Sequence, residues 1–205
     1  MARVVLASRN KGKIRELREM LAESGIEVLS LADFPELPEI EEDGATFREN
    51  AIKKATVVAA ATGLVTLADD SGLEVDALGS QPGVLSARFA GIHGNDSANN
   101  ALLLDKLQGI AESSRTARFR CVIAIADPDG RTETCDGFCE GVIGFSTKGA
   151  GGFGYDPLFF IPELGMTMAE LPEETKNRIS HRAKAMQQAI AILPDFLAYH
   201  NNDCE

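Results

Sequence analysis

Residues 8–13 bring together a hydroxyl, an amide and basic side chains, in the order Ser8, Arg9, Asn10, Lys11, Gly12 and Lys13. They lie between a predicted strand and a predicted helix, where the first backbone N–H groups of the helix and the positive end of its dipole favour an anion. This pattern is typical of a phosphate site, although an ordinary capped helix with solvated lysines has the same composition. A Walker A loop is disfavoured, because its first glycine is missing and Ile14 stands where Ser or Thr would bind magnesium.

A second group of residues offers carboxylates. Asp69 and Asp70 follow a short β-branched run, and because consecutive side chains of an extended backbone point to opposite sides, only one of them is expected to face a given cleft. Glu41 or Glu42, from an acidic loop, could join that aspartate to hold a hard divalent cation through oxygen ligands, and magnesium fits this chemistry. The alternative is that these acids are simply solvated at loop edges.

The glycines at residues 149–154 match the pattern G-x-G-x-x-G. Pro157 and the apolar run at 158–161 predict a strand after them, whereas a dinucleotide-binding fold needs a helix there. The alternatives that remain are a glycine-rich turn and a loop whose backbone approaches a ligand closely, with Phe153 or Tyr155 available to stack on a base.

Basic residues open the last predicted helix. His181 and Arg182 follow Ser180, at the end of a helix where the macrodipole disfavours positive charge. Their position indicates an anionic or electron-rich ligand, and the alternative is a plain serine cap followed by two exposed basic side chains.

The composition limits the classes of partner. Among 205 residues, 20 Lys and Arg face 31 Asp and Glu, a net charge of −11, while 44% of residues are hydrophobic. A globular core is therefore expected, and general binding to nucleic acids or to anionic membranes is disfavoured. The apolar start of the chain is too short for a signal peptide or a membrane span. The four cysteines lack zinc-finger or thioredoxin spacing, so we expect reduced thiols and a cytoplasmic protein.

The first thirty residues predict the elements that position residues 8–13. Residues 3–7 read as a buried strand, apolar residues at helical spacing follow until Gly25, and residues 26–29 read as a second strand. This βαβ opening predicts an α/β sheet with a ligand near the carboxyl end of the first strand.

The rest of the chain continues the alternation of strands and helices. Thr46 and Glu49 form a capping-box pattern before an Ala-rich helix that Gly63 can close. A strand at 65–68 is expected to end in a turn at 69–72, and residues 119–143 predict a long hairpin. We therefore expect a single domain over residues 1–199, with a mixed sheet and a short tail at 200–205.

Taken together, five segments resemble one family, that of the Ham1-like inosine triphosphate pyrophosphatases. The segments are residues 8–13, 41–50, 69–72, 152–157 and 180–182, and they occur in the order seen in that family. The resemblance implies two lobes around a long, twisted mixed sheet with flanking helices and an active-site cleft between the lobes. It also implies a homodimer that needs Mg²⁺ and hydrolyses ITP, dITP or XTP to the nucleoside monophosphate and pyrophosphate.

The resemblance also implies roles for particular residues. The triphosphate would be held by residues 8–13 and Lys54, and magnesium by Glu41 and Asp70, with Asp70 as the general base. The nucleotide pocket would be completed by Ser71, Phe153, Gly154, Tyr155, Asp156, Lys176, His181 and Arg182. Because hypoxanthine and xanthine carry an oxygen at C6 where adenine carries an amino group, donors from His181 or Arg182 would reject adenine.

Three other functions fit parts of the sequence. A Maf-like pyrophosphatase would perform the same reaction on other bases, but residues 180–182 argue against it. A non-catalytic nucleotide sensor would need basic side chains to bind a triphosphate but would not need both Glu41 and Asp70, so the presence of both acids weighs against it. An NAD-dependent enzyme is suggested only by the glycine pattern.

Overall fold

The apolar start of the chain forms a strand because its side chains are removed from water. In the computed structural model, which describes residues 2–38 and 40–202, strand β1 spans Ala2–Leu6 and its Val4, Val5 and Leu6 are at most 1% exposed. Helix α1 follows at Lys11–Met20 and strand β2 at Ile26–Ser30. β1 and β2 pair in parallel, with Val4 opposite Val28, so the predicted βαβ opening is confirmed.

Helix α2 spans Phe47–Thr62 and has both of the ends that its sequence predicts. The hydroxyl of Thr46 accepts from the backbone N–H of Glu49 at 3.1 Å, and the Glu49 carboxylate accepts from the backbone N–H of Thr46. Gly63 ends the helix in the left-handed conformation, at φ 67°. The capping box fixes where α2 begins, and α2 carries two residues of the site described below.

Strand β3 is longer than its sequence predicts. It runs as Thr66–Val75, straight through residues 69–72, so the turn expected there is wrong. The alternation of buried Leu73 and Val75 continues the strand, and its end pairs antiparallel with strand β4, at Gln81–Pro82. Tertiary pairing therefore overrides the turn-forming tendency of Asp, Ser and Gly.

The remaining elements complete a mixed sheet with helices. They are helix α3 at Asp96–Lys106, strands β5 at Thr116–Ala126, β6 at Thr132–Ile143, β7 at Phe159–Ile161 and β8 at Met166–Thr167, and helices α4 at Glu173–Ile179 and α5 at His181–Asn202. The strand order is β2-β1-β3-β5-β6-β7-β8, with β4 on β3. Parallel pairs on β1 and antiparallel pairs on β7 confirm the predicted mixed α/β sheet with flanking helices.

The chain divides into two compact units. Unit 1 comprises residues 1–70, 122–136 and 185–205, and unit 2 comprises residues 71–121 and 137–184. In unit 1 the fully buried side chains include Leu17, Leu67 and Phe196. In unit 2 the core joins residues of β3, α3, β5, β6 and β7, among them Leu73, Leu103, Phe119, Ile143 and Phe159.

The C-terminal boundary lies in a helix. The expected division between a domain at 1–199 and a tail at 200–205 falls inside α5, which continues to Asn202. Residues 203–205, with Cys204, lie outside the described residues. Within the described ranges, no helix has both the length and the apolar character needed to cross a bilayer.

Candidate active site

The turn between β1 and α1 is a capped helix start. The Asn10 side chain accepts from the backbone N–H groups of Gly12 and Lys13, at 2.9 and 3.3 Å, and the Ser8 hydroxyl accepts from the backbone N–H of Asn10. Arg9 and Lys11 are exposed. The segment thus uses its own amide for the first N–H groups of α1 and presents the side chains of Arg9 and Lys11 to solvent.

Asp69, whose role the sequence left open, organises two lysines of unit 1. It is 4% exposed, and both its carboxylate oxygens accept from the Lys13 ammonium, at 2.7 and 2.9 Å. Its backbone carbonyl accepts from the Lys54 ammonium at 2.5 Å. One buried residue of β3 therefore sets the positions of a lysine from α1 and a lysine from α2.

The Lys54 ammonium is held among oxygen atoms. Besides the Asp69 carbonyl it contacts the Glu42 carboxylate at 2.6 Å, and its side chain is only 12% exposed. Burial by itself lowers the pKa of Lys54, but the charges of Asp69 and Glu42 outweigh it, so that its pKa is raised. Lys54 is therefore a fixed positive charge at neutral pH.

Asp70 is the carboxylate whose ionisation the fold perturbs most clearly. Burial raises the pKa of Asp70 to about 6, against the opposing effects of Lys54 and of a hydrogen bond from Asn50. The Asn50 amide donates to Asp70 at 2.9 Å and accepts from the backbone N–H of Gly44 at 2.8 Å. A carboxylate with a pKa just below neutrality is well matched to proton acceptance at pH 7.

Sequence reasoning assigned no role to Asn50 or to Gly44. Asn50 is 2% exposed on α2, and the signal in the sequence that could have found it is a polar residue between Phe47 and Ala51, at an apolar position of the helix, where it needs a partner. A Cβ on Gly44 would lie 2.7 Å from the Asn50 side-chain oxygen. The acidic loop therefore approaches α2 as closely as it does only because residue 44 is glycine.

The two glutamates of the acidic loop differ in their surroundings. Glu42 is paired with Lys54, whereas Glu41 is exposed and makes no hydrogen bond or ion pair with any residue that the structure describes. Across residues 2–38 and 40–202, no group of three His, Cys, Asp or Glu side chains is arranged as a metal cage. Magnesium commonly uses only one or two carboxylates together with substrate phosphates, so Asp70 with a loop glutamate fits such an ion.

In unit 2, the glycine loop at residues 149–154 is tied to a buried carboxylate. Asp156 is 5% exposed and accepts from the Lys176 ammonium and from the backbone N–H of Phe153. A Cβ on Gly152 would lie 2.1 Å from that carboxylate, and its φ is +76°. Glycine is therefore required at 152 by both space and backbone conformation.

The two aromatic residues of this loop are placed differently. The Phe153 ring is 61% exposed, with the Lys176 ammonium 5.4 Å and the Arg182 guanidinium 6.0 Å from its centroid. The Tyr155 ring is 4% exposed and its hydroxyl donates to the Ser86 carbonyl at 2.8 Å. Of the two, Phe153 is the one whose ring is exposed.

The start of α5 is also organised within unit 2. Arg182 donates to the Ser71 hydroxyl at 3.4 Å, and the His181 ring stacks on Phe119 with 5.0 Å between centroids. The Ser180 hydroxyl accepts from the backbone N–H of Ala183, which is the cap that the sequence predicts. Phe153, Lys176 and Arg182 therefore form a cationic and aromatic surface, which we call the Phe153 surface.

The chain belongs to the Ham1 family, whose model matches residues 4–192. It is 59% identical over 191 residues to the dITP/XTP pyrophosphatase of Desulforamulus reducens, which covers 93% of this chain and 95% of the relative. It is 55% identical over 199 residues to the dITP/XTP pyrophosphatase of Geobacter sulfurreducens, at 97% and 98% coverage.

Solved structures agree with this assignment. A HAM1 protein from Coxiella burnetii aligns with a TM-score of 0.90 at 43% identity, over 95% of this chain and 100% of that one. The nucleoside-triphosphatase / dITP/XTP pyrophosphatase from Mycobacterium abscessus aligns with a TM-score of 0.80 at 45% identity, over 91% and 98% of the two chains. These matches confirm the mixed α/β fold with a long mixed sheet and flanking helices that the resemblance implied.

Proposed function

We propose that this protein is a dITP/XTP pyrophosphatase, which hydrolyses deaminated purine nucleoside triphosphates to the nucleoside monophosphate and pyrophosphate. The observation that carries the proposal is the arrangement in unit 1, where a fixed ammonium, that of Lys54, lies among the carboxylates of Asp69, Asp70 and Glu42. A site for hydrolysis of a polyanion needs both fixed positive charge and a proton acceptor. The names of the relatives supply the class of base.

The chemistry assigned to unit 1 is attack of water on the α-phosphorus. Asp70, ionised above its pKa of about 6, accepts a proton from the water as the new P–O bond forms. The bond between the α-phosphorus and the bridging oxygen breaks, and pyrophosphate leaves with that electron pair. Lys13 and Lys54, with the basic residues of 8–13, offset the charge of the triphosphate and of the leaving group.

We assign Mg²⁺ to Asp70 and Glu41. Glu42 already balances Lys54, whereas Glu41 is exposed and engaged with none of the described residues. When bound, the ion would supply further charge neutralisation at the phosphates as a Lewis acid.

Base recognition is assigned to the Phe153 surface of unit 2. The exposed Phe153 ring stacks on the purine, and His181 or Arg182 donates to an oxygen at C6. Adenine presents an amino donor at that position and leaves the donor unpaired, which a site built for hydrogen bonding penalises strongly. These groups are supported by Ser71, Gly154, Asp156 and Lys176. Tyr155 is buried and anchors the loop through its hydroxyl, which donates to the Ser86 carbonyl.

The test is pyrophosphate release from dITP, XTP, dATP and dGTP, each with Mg²⁺ and with EDTA. We expect rapid release from dITP and XTP, only with the metal. Equal rates on all four substrates would contradict the assigned base selectivity. No release from any of them would leave the chain a binding protein and overturn the proposal.

Two wider properties follow from the same proposal. We propose a homodimer, for which light scattering should give twice the chain mass of 21.9 kDa. We also propose a cytoplasmic location, where nucleotide pools are held and where thiols such as the buried, unbridged Cys121, Cys135 and Cys139 stay reduced.

A further inference from the structure

Gly154, the last glycine of the loop at 149–154, has both its backbone N–H and its carbonyl bound by side chains of helix α3. Its backbone N–H donates to the Asp96 carboxylate at 2.7 Å, and its carbonyl accepts from the Asn100 amide at 2.8 Å. Asp96 and Asn100 are four residues apart and so lie on the same side of the helix. The backbone N–H and carbonyl of Gly154 thus both bind side chains that are distant in sequence, 58 and 54 positions away.

The loop needs such support because of its composition. Gly149, Gly152 and Gly154 all have positive φ, a conformation that glycine adopts freely and therefore also leaves freely. A loop of this kind loses much conformational entropy when it is ordered. Fixing it before a ligand arrives reduces the free energy that binding must supply for ordering.

Asn100 has the geometry of a dedicated donor. Its side chain is 8% exposed, and no donor among the described residues reaches its side-chain oxygen. A buried oxygen without a partner opposes folding, so the favourable contribution of the Asn100 amide comes from its N–H group, which donates to Gly154. The neighbouring Asn99 differs, because its side chain accepts from the backbone N–H of Ala90 and donates to the Ala87 carbonyl, and it forms no hydrogen bond with residues 149–154.

The two residues that flank Gly154 explain what this hold achieves. Tyr155 is anchored in the unit 2 core through its hydroxyl and the Ser86 carbonyl. Phe153 carries the exposed ring of the Phe153 surface, and its backbone N–H donates to the Asp156 carboxylate. Gly154 is therefore the link between a fixed residue and a presented one, and its orientation sets where the Phe153 ring points.

We propose that Asp96 and Asn100 are positioning residues for substrate binding, which act by fixing Gly154 so that the Phe153 ring is presented in its stacking orientation. The inference rests on the proposed function, in which Phe153 stacks on the purine. Stacking that is equal in the ground state and the transition state affects KM and not kcat. Loss of either positioning residue therefore raises KM for dITP and leaves kcat within about twofold.

The central variant is Asn100→Asp, which has nearly the same shape but cannot donate to the Gly154 carbonyl when ionised. We expect KM for dITP to rise about tenfold, the effect of losing one buried hydrogen bond. Asp96→Ala should raise KM similarly, whereas Asp96→Asn keeps an acceptor oxygen and should stay close to the wild-type value. Asn99→Ala is the matched control, with the same residue type on the same helix, and should lower the melting temperature without raising KM.

A double variant tests whether the effect passes through the ring. In a Phe153→Leu background, Asn100→Asp should add no further increase in KM, because the group being positioned is absent. An increase that is additive in that background, or an equal increase in Asn99→Ala, overturns the inference.

Hydrogen exchange separates this inference from the proposed function. In Asn100→Asp, amides of residues 150–156 should exchange faster than in Asn99→Ala, whatever substrate the enzyme prefers. Unchanged exchange in Asn100→Asp and in Asp96→Ala overturns the inference even if dITP is hydrolysed. If exchange is faster in Asn100→Asp but KM is unchanged in Phe153→Leu, then Phe153 does not stack on the base. That result overturns the proposed role of Asp96 and Asn100 in substrate binding as well.

Discussion

Asp70 is buried, which disfavours its ionised form, yet the proposed reaction needs that form as the proton acceptor. Burial raises the pKa of Asp70 to about 6, while the Asn50 amide donates to the carboxylate and the charge of Lys54 favours its ionised form. Asp70→Asn keeps the shape and can still accept from Asn50, but it cannot take a proton. We expect kcat for dITP to fall by about 10²–10³, and turnover within a few-fold of wild type would remove Asp70 from the reaction.

The same pKa has a consequence for stability. The pKa of Asp70 is about 6 in the fold against 3.8 for an ordinary Asp, so ionisation opposes folding as the pH rises from about 4 to 6, and that opposition is complete above about 6. In EDTA, Asp70→Asn should therefore melt at a higher temperature than wild type at pH 7.5, with the difference disappearing toward pH 4. At about 1.4 kcal/mol per pH unit, the gain is at most about 3 kcal/mol. A variant that is less stable at pH 7.5 would contradict this effect of burial.

Glu41 and Glu42 allow a matched pair of variants. Glu41→Gln should raise the Mg²⁺ concentration for half-maximal activity by at least about tenfold, since the ion loses a charged ligand. Glu42→Gln should leave that concentration unchanged and raise KM, because Lys54 loses its ion pair. Metal titrations of both variants decide the assignment, and the reverse result would make Glu42 the ligand.

Arg182 is the residue for which base selectivity can be tested most directly. Arg182→Ala should lower the preference for dITP over dATP by about 10–100-fold, as expected for loss of one hydrogen bond from a charged donor. Arg178→Ala is the control, because Arg178 is exposed and forms no hydrogen bond or ion pair within the described part of the chain. The measurement is the ratio of kcat/KM for the two substrates. An intact ratio in Arg182→Ala would assign base reading to other residues.

At the scale of elements, the glycine loop depends on residues with no side chain of their own. In Gly152→Ala the new Cβ would lie 2.1 Å from the Asp156 carboxylate and 2.5 Å from the Lys176 ammonium, at a φ of +76°. We expect KM for dITP to rise more than tenfold, together with a loss of stability above the roughly 1–2 kcal/mol that positive φ alone imposes on alanine.

A matched control for Gly152 lies in the turn between β7 and β8. Gly165 has a φ of +66°, and a Cβ there meets no atom of the described chain within 4 Å. Gly165→Ala should therefore show the backbone strain without the rise in KM. If both variants affect KM equally, the contact with Asp156 is not what makes glycine necessary at 152.

Helix α2 shows how an element carries site residues into place. Its capping box and its C-terminal glycine were both predicted, because these signals involve residues three or four apart and depend on local geometry. Asn50 and Lys54 follow at the next turns of that helix, so a correct N-terminus also fixes their direction. By contrast, the end of β3 was mispredicted, because its extension depends on pairing with its neighbours, β5 in the sheet and β4 at its last residues, and not on its own residues.

At the scale of the whole molecule, an excess of acids surrounds a few fixed cations. With a net charge of −11, the chain as a whole repels polyanions, and a triphosphate must be met by individual lysines. Lys13 and Lys54 in unit 1, and Lys176 in unit 2, are each held by a carboxylate. These pairs hold the lysine side chains in place while a substrate is absent, so less side-chain entropy remains to be lost on binding.

The sequence by itself determined the family, the mixed α/β class, the βαβ opening and the helix caps, because each rests on local patterns or on short segments in a fixed order. It also placed Asp69 and Asp70 after a predicted strand, and the resemblance to the family selected Asp70 as the general base. Only the tertiary structure decided which acid serves which cation, since Lys13 and Asp69 are 56 residues apart and Lys176 and Asp156 are 20 apart. Burial decided the rest. The pKa of Asp70, the exposure of Phe153 and the enclosure of Tyr155 depend on the surrounding packing and not on residue type.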